Sequence, residues 1–418
     1  MSRCDVDVLV IGAGPAGSSV AIRLALAGWR VAVLEQSHYP RQKVCGECLG
    51  PASLRRLHEL GISEGLCDLA GPELRRVAWM TRDRTGVADM PPCHAGPFRY
   101  GRAVGRDLLD AMLLDRAREA GANVIQPARA RRLSSAAAGE FVCEYRPQPS
   151  VSGPRSRAID QRISASIVVD AHGSWERGPA PFAEPGPAPA RPADLLGFKA
   201  TFRGAALPSG LLPVLALPGA YGGMVISDRG RATVACCIRR DVLRACRLRS
   251  PGDSAGAAVE AFLRSSCRGL AEALDGARLD EGWQSIGPLL PGFHARKTHG
   301  VFSIGNAAAE AHPLIGEGIC MALESAALLA GLLGRRRSHL DERIIRSLNE
   351  AYVRAMRATF APRLRLAQLY SHLAMRERVA GAVAMLIQSW PQTLTLAAHL
   401  AGKARAGAIR LPGRQEFT

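Results

Sequence analysis

The sequence predicts an α/β (α+β) chain: a Rossmann-like dinucleotide-binding domain, an inserted antiparallel β-sheet domain to hold a substrate, and a C-terminal helical region. Three observations predict it. A β-branched run at 6–11 stops at Gly12-Ala13-Gly14-Pro15-Ala16-Gly17, and a second such run follows at 31–34. Residues 195–290 read as short strands parted by turn residues. Residues 335–418 read as helix.

A chain of 418 residues is too long for one simple core and should divide into two or three units. Hydrophobic residues make up 47% and charged residues 22%, a globular rather than a disordered balance. The net charge of +17 would suit nucleic acid, an anionic membrane surface or acidic ligands such as phosphates. Nucleic acid is not expected, because no zinc-finger or RNP-like pattern is present and aromatic residues are only 5%. Arginine outnumbers lysine, and alanine and glycine abound, so a GC-rich coding bias accounts for the charge equally well. The 11 cysteines follow no framework of spacings, which favours free, reduced thiols in a cytoplasmic enzyme. The N-terminus enters a strand almost at once, with no room for a signal peptide.

Strand, G-x-G-x-x-G, a helix at 18–27, a second strand and an acid follow one another in register. Gly12 makes the tight turn, Gly14 lets the backbone approach a pyrophosphate, and Gly17 lets helix pack on strand, with Pro15 and Ala16 between them. The phosphates would sit at the helix N-terminus, where amide groups and dipole favour an anion. Glu35 lies 23 positions after Gly12, where a carboxylate accepts hydrogen bonds from ribose hydroxyls, and Gln36 stands beside it. An acid there favours an unphosphorylated adenosine ribose, as in FAD or NAD, over NADP.

Residues 39–51, YPRQKVCGECLGP, then present Cys45 and Cys48 in a C-x-x-C spacing. A redox dithiol, a metal knuckle and a loop folded around a cofactor are the three readings. A metal site would need another nearby pair, and Cys236 and Cys237 are adjacent while Cys67 stands alone, so no metal is expected. A dithiol like that of flavin disulfide reductases would call for four intervening residues and a second glycine fingerprint, and neither is found. Arg41 and Lys43 suit a pyrophosphate or a reduced, anionic flavin, and Gly46 permits close backbone approach. Cys48 reads as a small filler side chain.

Further on, 104–110 opens a helix with Arg106 in its first turn, and 167–170 is a strand ending in Asp170, Ala171, His172 and Gly173. Residues 145–163 and 178–194 read as Pro/Ser/Ala-rich loops. Within 195–290, Tyr221 is a candidate for the pocket wall; for Lys199 the readings are a cation facing a flavin and, as the expectation, an exposed strand cation. A strand at 301–304 runs through Gly305, Asn306, Pro313, Gly316, Glu317 and Gly318 into an apolar helix at 319–333, starting at Ile319. A strand that reaches a helix N-terminus through such a loop is another anion or dipole site. Residues 335–378 carry eleven Arg against four Asp or Glu, and 379–402 carry no formal charge. Pro391 makes a helix–break–helix the expectation there, either as a cap on the sheet or as a peripheral membrane contact.

In this order the segments resemble the FAD-dependent superfamily of aromatic hydroxylases, geranylgeranyl reductases and halogenases, closest to the geranylgeranyl reductase-like branch. The second loop is similar to that superfamily's G-D-A-A-x-x-x-x-P-x-x-G-x-G, with Asn306 in place of the acid. The cysteine loop is similar to P-R-x-K-x-C-G-E, supplied by Pro40, Arg41, Lys43, Cys45, Gly46 and Glu47. The segment at 106–110 is similar to R-x-x-L-D, which implies that Arg106 reaches the adenine side. The resemblance implies FAD, held by Gly12, Gly14, Pro15, Ala16, Gly17, Glu35, Gln36, Arg41, Lys43, Cys45, Gly46, Arg106, Asp170, Gly173, Gly305, Asn306, Pro313, Gly316, Glu317, Gly318 and Ile319. It implies NAD(P)H or a separate flavin reductase as electron donor, and Cys45 and Tyr221 as candidates for catalysis. The reductases' Y-x-W-x-F-P is replaced by Tyr221-Gly222-Gly223-Met224, so the isoprenoid substrate does not carry over. The halogenases' W-x-W-x-I-P is also missing. The expectation is a monooxygenase acting on a small hydrophobic, aromatic or polyketide-like metabolite. Double-bond reduction, halogenation and a flavin-binding carrier without turnover are the alternatives. The cofactor domain is expected at 1–80, 100–180 and 295–340, the substrate domain at 81–99 and 181–294, and the helical region at 341–418.

Overall fold

β1 (Val6–Ile11) is buried along nearly its whole length, as a continuous apolar run between two parallel neighbours must be. In the computed structural model, which describes residues 4–136, 139–148, 159–174, 189–249, 251–295, 300–334 and 341–405, it starts a seven-stranded sheet. A proline at its first position opens α1 (Pro15–Leu26), and the chain returns as β2 (Val31–Leu34). After β3 (Cys48–Leu49), α2 (Pro51–Glu59) and α3 (Ser63–Leu69), it leaves for a second sheet with β4 (Arg76–Met80) and β5 (Thr85–Asp89). It comes back through β6 (Arg102–Ala103), α4 (Arg106–Glu119), β7 (Asn123–Ile125), β8 (Ala128–Ser135), β9 (Phe141–Pro147) and β10 (Gln161–Asp170).

The second sheet is completed by β11 (Leu195–Arg203), β12 (Leu211–Leu217), β13 (Ala220–Ile226), β14 (Ala232–Arg239) and β15 (Arg278–Ile286). Three helices, α5 (Arg240–Arg249), α6 (Ala255–Ser266) and α7 (Arg268–Ala273), interrupt its last crossing. β16 (Gly292–Phe293), β17 (Val301–Ser303), β18 (Ala309–Glu310) and α8 (Gly318–Leu333) return to the first domain. α9 (Glu342–Ala374), α10 (Glu377–Ser389) and α11 (Gln392–Leu400) end the described chain.

The first sheet runs β7-β2-β1-β10-β9-β8 with β17 also on β10, and the second runs β15-β11-β14-β13-β12-β4-β5. The second is antiparallel except where β12 lies parallel to β4. β4 therefore belongs to the substrate sheet, and the first cofactor segment stops short of the expected residue 80. The expected loop at 145–163 is shorter as well: its ends extend β9 and β10, and 149–158 lie outside the described residues, as do 178–188 of the other loop.

Apolar side chains of α1, α4, α8 and α9 pack on the first sheet, among them Val20, Leu113, Leu323 and Met356. Each such fully buried side chain contributes about 1.5–3 kcal/mol relative to exposure. In β11 the strand period sends Phe198, Ala200 and Phe202 to the core under α6, and leaves Gly197 and Lys199 on the face toward the cofactor domain. α10 and α11, separated at Pro391, close over β4 and β5 through Ile387, Leu394 and Ala398. No helix among the described residues is long and apolar enough to cross a membrane.

Candidate functional site

Gly12 has φ +100°, and a Cβ there would lie 2.5 Å from the Ala171 carbonyl oxygen. A Cβ on Gly17 would lie 1.8 Å from the Gly12 carbonyl oxygen, so α1 sits against the turn only because both side chains are absent. Gly14, Pro15 and Ala16 at the α1 N-terminus line a cavity of about 330 Å³, while Gly17 lies behind it. The Glu35 carboxylate is buried and accepts from the amides of Ala13 and Ser37, both at 2.8 Å. It also lines the cavity; Gln36 does not.

Arg41 comes to the same end of the cavity from the cysteine loop. Its guanidinium lies 3.6 Å from Asp110 and 3.9 Å from Glu35, and stacks on the Tyr39 ring with 4.8 Å to the centroid. Nη2 donates to the Tyr39 hydroxyl at 3.0 Å, but Nε and Nη1 are buried with no hydrogen-bond partner. Unmet buried donors of this kind cost about 1–3 kcal/mol each, and a ligand oxygen would satisfy them. Arg106, which lines the cavity beside Gly14, is held by Asp110 through two bonds of 2.7 Å. The glycine cradle, the buried acid and the unmet guanidinium donors fit a dinucleotide bound at this end.

The rest of the loop is pinned from beneath by Glu47, which is buried with φ +59°. One Glu47 oxygen meets the Lys199 ammonium and accepts from the Arg106 amide at 3.2 Å; the other accepts from the Thr233 hydroxyl at 2.6 Å. Lys199 also donates to Gln42 Oε1 at 2.9 Å. The expectation of an exposed Lys199 is thus overturned: strand alternation turns it inward, and a buried ammonium needs a carboxylate. With the loop so held, Lys43, Cys45 and Gly46 line the cavity, and Cys45 Sγ accepts from the Glu47 amide at 3.3 Å. Cys45 and Cys48 are free thiols, and burial pushes the Cys48 thiol up to about 11. Among the described residues no group of His, Cys, Asp and Glu is placed to hold a metal.

On the opposite wall stand Gly305, Asn306, Pro313, Gly316, Gly318 and Ile319. Asn306 Nδ2 donates to Ser174 Oγ at 2.9 Å, and the Gly305 amide to Ser325 Oγ at 2.9 Å. Two residues expected here point elsewhere. Glu317 does not line the cavity; its buried carboxylate lies 3.7 Å from Arg363 and also feels the Lys403 ammonium. Asp170 is taken up by the His172 imidazole, and Gly173, not Asp170, reaches the cavity.

The far end is walled by Val77, Trp79, Leu212, Val214 and Met224 of the second sheet and by Leu394 of α11. Tyr221 is buried there, its hydroxyl 3.2 Å from His312 Nδ1 and its ring edge-on to the imidazole. Burial, with the charge of His372, lowers the His312 imidazole to about 4. Glu310 completes this corner. Burial raises its carboxyl to about 7 against the smaller opposing effects of the Leu290 amide and Ser174 hydroxyl, and Oε2 has no partner. Neither Glu310 nor His312 was expected from the sequence; for Glu310 the signal was a lone acid in the small-residue run AAAEA.

Residues 5–204 match the family described as FAD binding domain. A menaquinone reductase of Mycobacterium tuberculosis is 36% identical over 125 residues, which cover 30% of this chain and 29% of that protein. A 1H-pyrrole-2-carbonyl-[peptidyl-carrier protein] chlorinase of Pseudomonas fluorescens is 31% identical over 192 residues, 41% of this chain and 40% of that one. The chain thus matches less than half the length of either relative. The fold as a whole is that of the flavin-dependent brominase Bmp2, with TM-score 0.71 at 16% identity over 97% of this chain and 96% of that one.

Proposed function

We propose, from the match of residues 5–204 to the FAD binding domain family, that the protein is an FAD-dependent oxidoreductase that hydroxylates a hydrophobic aromatic or polyketide-like small molecule. The observation that carries this reading is one cavity with two unlike ends. Glycines, Glu35 and Arg41 line one end; aliphatic and aromatic side chains with a single polar corner line the other. FAD, reduced by NAD(P)H or by a separate flavin reductase, supplies the electrons that activate oxygen. The chain's own residues bind, orient and exclude water. Arg41 Nε and Nη1 and the α1 N-terminal amides are placed for the pyrophosphate, and Glu35 for the ribose. Val77, Trp79, Leu212 and Leu394 bury an apolar ring and keep water from it, and Tyr221, held by His312, faces a polar substituent.

Halogenation is an alternative reading of the same cavity, favoured by the local similarity to a chlorinase. The cavity's lining lysines are Lys43, on the cofactor-side loop, and Lys403, beside Gly316, while Lys199 is committed to Glu47. Reduction of a double bond is favoured by the Cys45 thiol in the cavity and by the local similarity to a menaquinone reductase.

The test is mass spectrometry of products after FAD-loaded protein is incubated with NADPH and aromatic candidates, with and without oxygen. A product that gains one oxygen atom, only when oxygen is supplied, is expected. A product that gains two hydrogens without oxygen assigns the reductase activity instead. NADPH oxidation unmoved by every candidate leaves a flavin-binding carrier.

A further inference from the structure

Glu310 is a carboxylate in the substrate end of the cavity to which the hydroxylation scheme gives no work. β18 holds it through pairing with Gly292 of β16, and Glu310 lines the cavity near Tyr221, whose hydroxyl in turn meets His312. It is 3% exposed, and Oε2 has no hydrogen-bond partner. A buried carboxylate oxygen left unmet in a cavity wall is an acceptor waiting for a donor, because leaving it unmet costs more than a hydrogen bond returns.

We infer that Glu310 is the proton acceptor of the substrate cavity, and that it takes the proton of a phenolic or enolic hydroxyl on an otherwise apolar substrate. The substrate O–H bond breaks, its electron pair stays on the substrate oxygen, and the proton forms the new O–H bond at Glu310. This rests on the proposed hydroxylation for its purpose: loss of that proton makes the adjoining ring carbons electron-rich where oxygen is delivered. A hydroxyl is a polar group that suits this corner, because it can give its proton to Glu310 while Val77, Trp79, Leu212, Val214 and Leu394 take the apolar remainder of the substrate.

The other titratable groups facing Glu310 do not compete for the proton near neutrality. Burial pushes the Cys237 thiol of β14 up to about 12 and the Tyr221 hydroxyl of β13 well above its ordinary value. His312, with His372 of α9 behind it, is lowered to about 4 and is neutral at pH 7. Glu310, raised to about 7, is the member of this corner that changes charge across the neutral range, where a general base works best.

Binding of naphthol and of naphthalene to the FAD-loaded protein, read from the flavin absorbance, tests the inference without any turnover. Naphthol should bind about tenfold more tightly at about pH 8 than at about pH 6, because an ionised carboxylate accepts more strongly than a neutral one. Naphthalene, with no proton to offer, should show no such gain. In Glu310→Gln the naphthol affinity should become flat with pH, while Glu310→Asp should retain the gain. The inference is overturned if wild-type protein shows no gain for naphthol, if naphthalene shows the same gain, or if Glu310→Gln keeps it. Since no product is measured, absence of oxygenation leaves this result standing, and a flat pH response leaves hydroxylation standing.

Discussion

Two buried carboxylates, Glu47 and Glu310, are 1% and 3% exposed and end in opposite circumstances. Glu47 is met by an ammonium, a hydroxyl and a backbone amide drawn from three elements of both domains. Glu310 keeps one oxygen without a partner and is raised to about 7 by its burial. The difference separates a structural charge from a chemical one. A buried charge whose lone pairs are all met fixes a loop, and one left partly unmet holds free energy in reserve for a ligand.

The largest effect should come from breaking the satisfied site. Glu47→Gln leaves Lys199 buried without its counter-charge, and about 3–5 kcal/mol of stability should be lost, read from the urea midpoint. Adding Lys199→Met should recover most of that loss. A cost below about 1 kcal/mol would remove Glu47 from its role as a strut.

The unsatisfied site should behave the other way. The folded Glu310 pKa of about 7 lies above the ordinary 4.5, so the native state binds the extra proton between these values. Stability is therefore greatest, as far as this group goes, below about 4.5 and falls as pH rises to about 7. Glu310→Gln should remove the penalty, making the variant up to about 3 kcal/mol more stable than wild type at about pH 8 and equal to it at about pH 4. Denaturant titration at the two pH values checks both sign and size.

Arg41 stands between the two cases, partly paired and partly unmet. Arg41→Met should weaken FAD binding about 10–100-fold in a fluorescence titration, through loss of charge-assisted donors. Unfolding of the FAD-free protein should change by less than about 1 kcal/mol, since donors without partners are removed. A large loss of stability with unchanged FAD affinity would make Arg41 a strut like Glu47.

The cofactor end was legible in the sequence because its chemistry is local. A tight turn, a helix N-terminus and an acid at the next strand's end are written within 6–36, and the loop through Cys45 follows directly. The substrate end was legible only as a run of strands. Lys199 was misplaced because strand period says which side chains share a face, not which face another domain covers. Glu317 and Asp170 fitted a pattern, but Glu317 is turned to Arg363 and Asp170 to the His172 imidazole.

By itself, then, the sequence determined the dinucleotide-binding unit, its FAD loops and the break at Pro391, all features set by backbone chemistry over a few consecutive residues. Only the tertiary structure decided which charges are paired and which are kept for a ligand. Lys199 meets Glu47 across 152 positions and Tyr221 meets His312 across 91, and nothing in residue order encodes such distances. Packing of the two sheets brings those side chains together, and burial then sets what each of them can do.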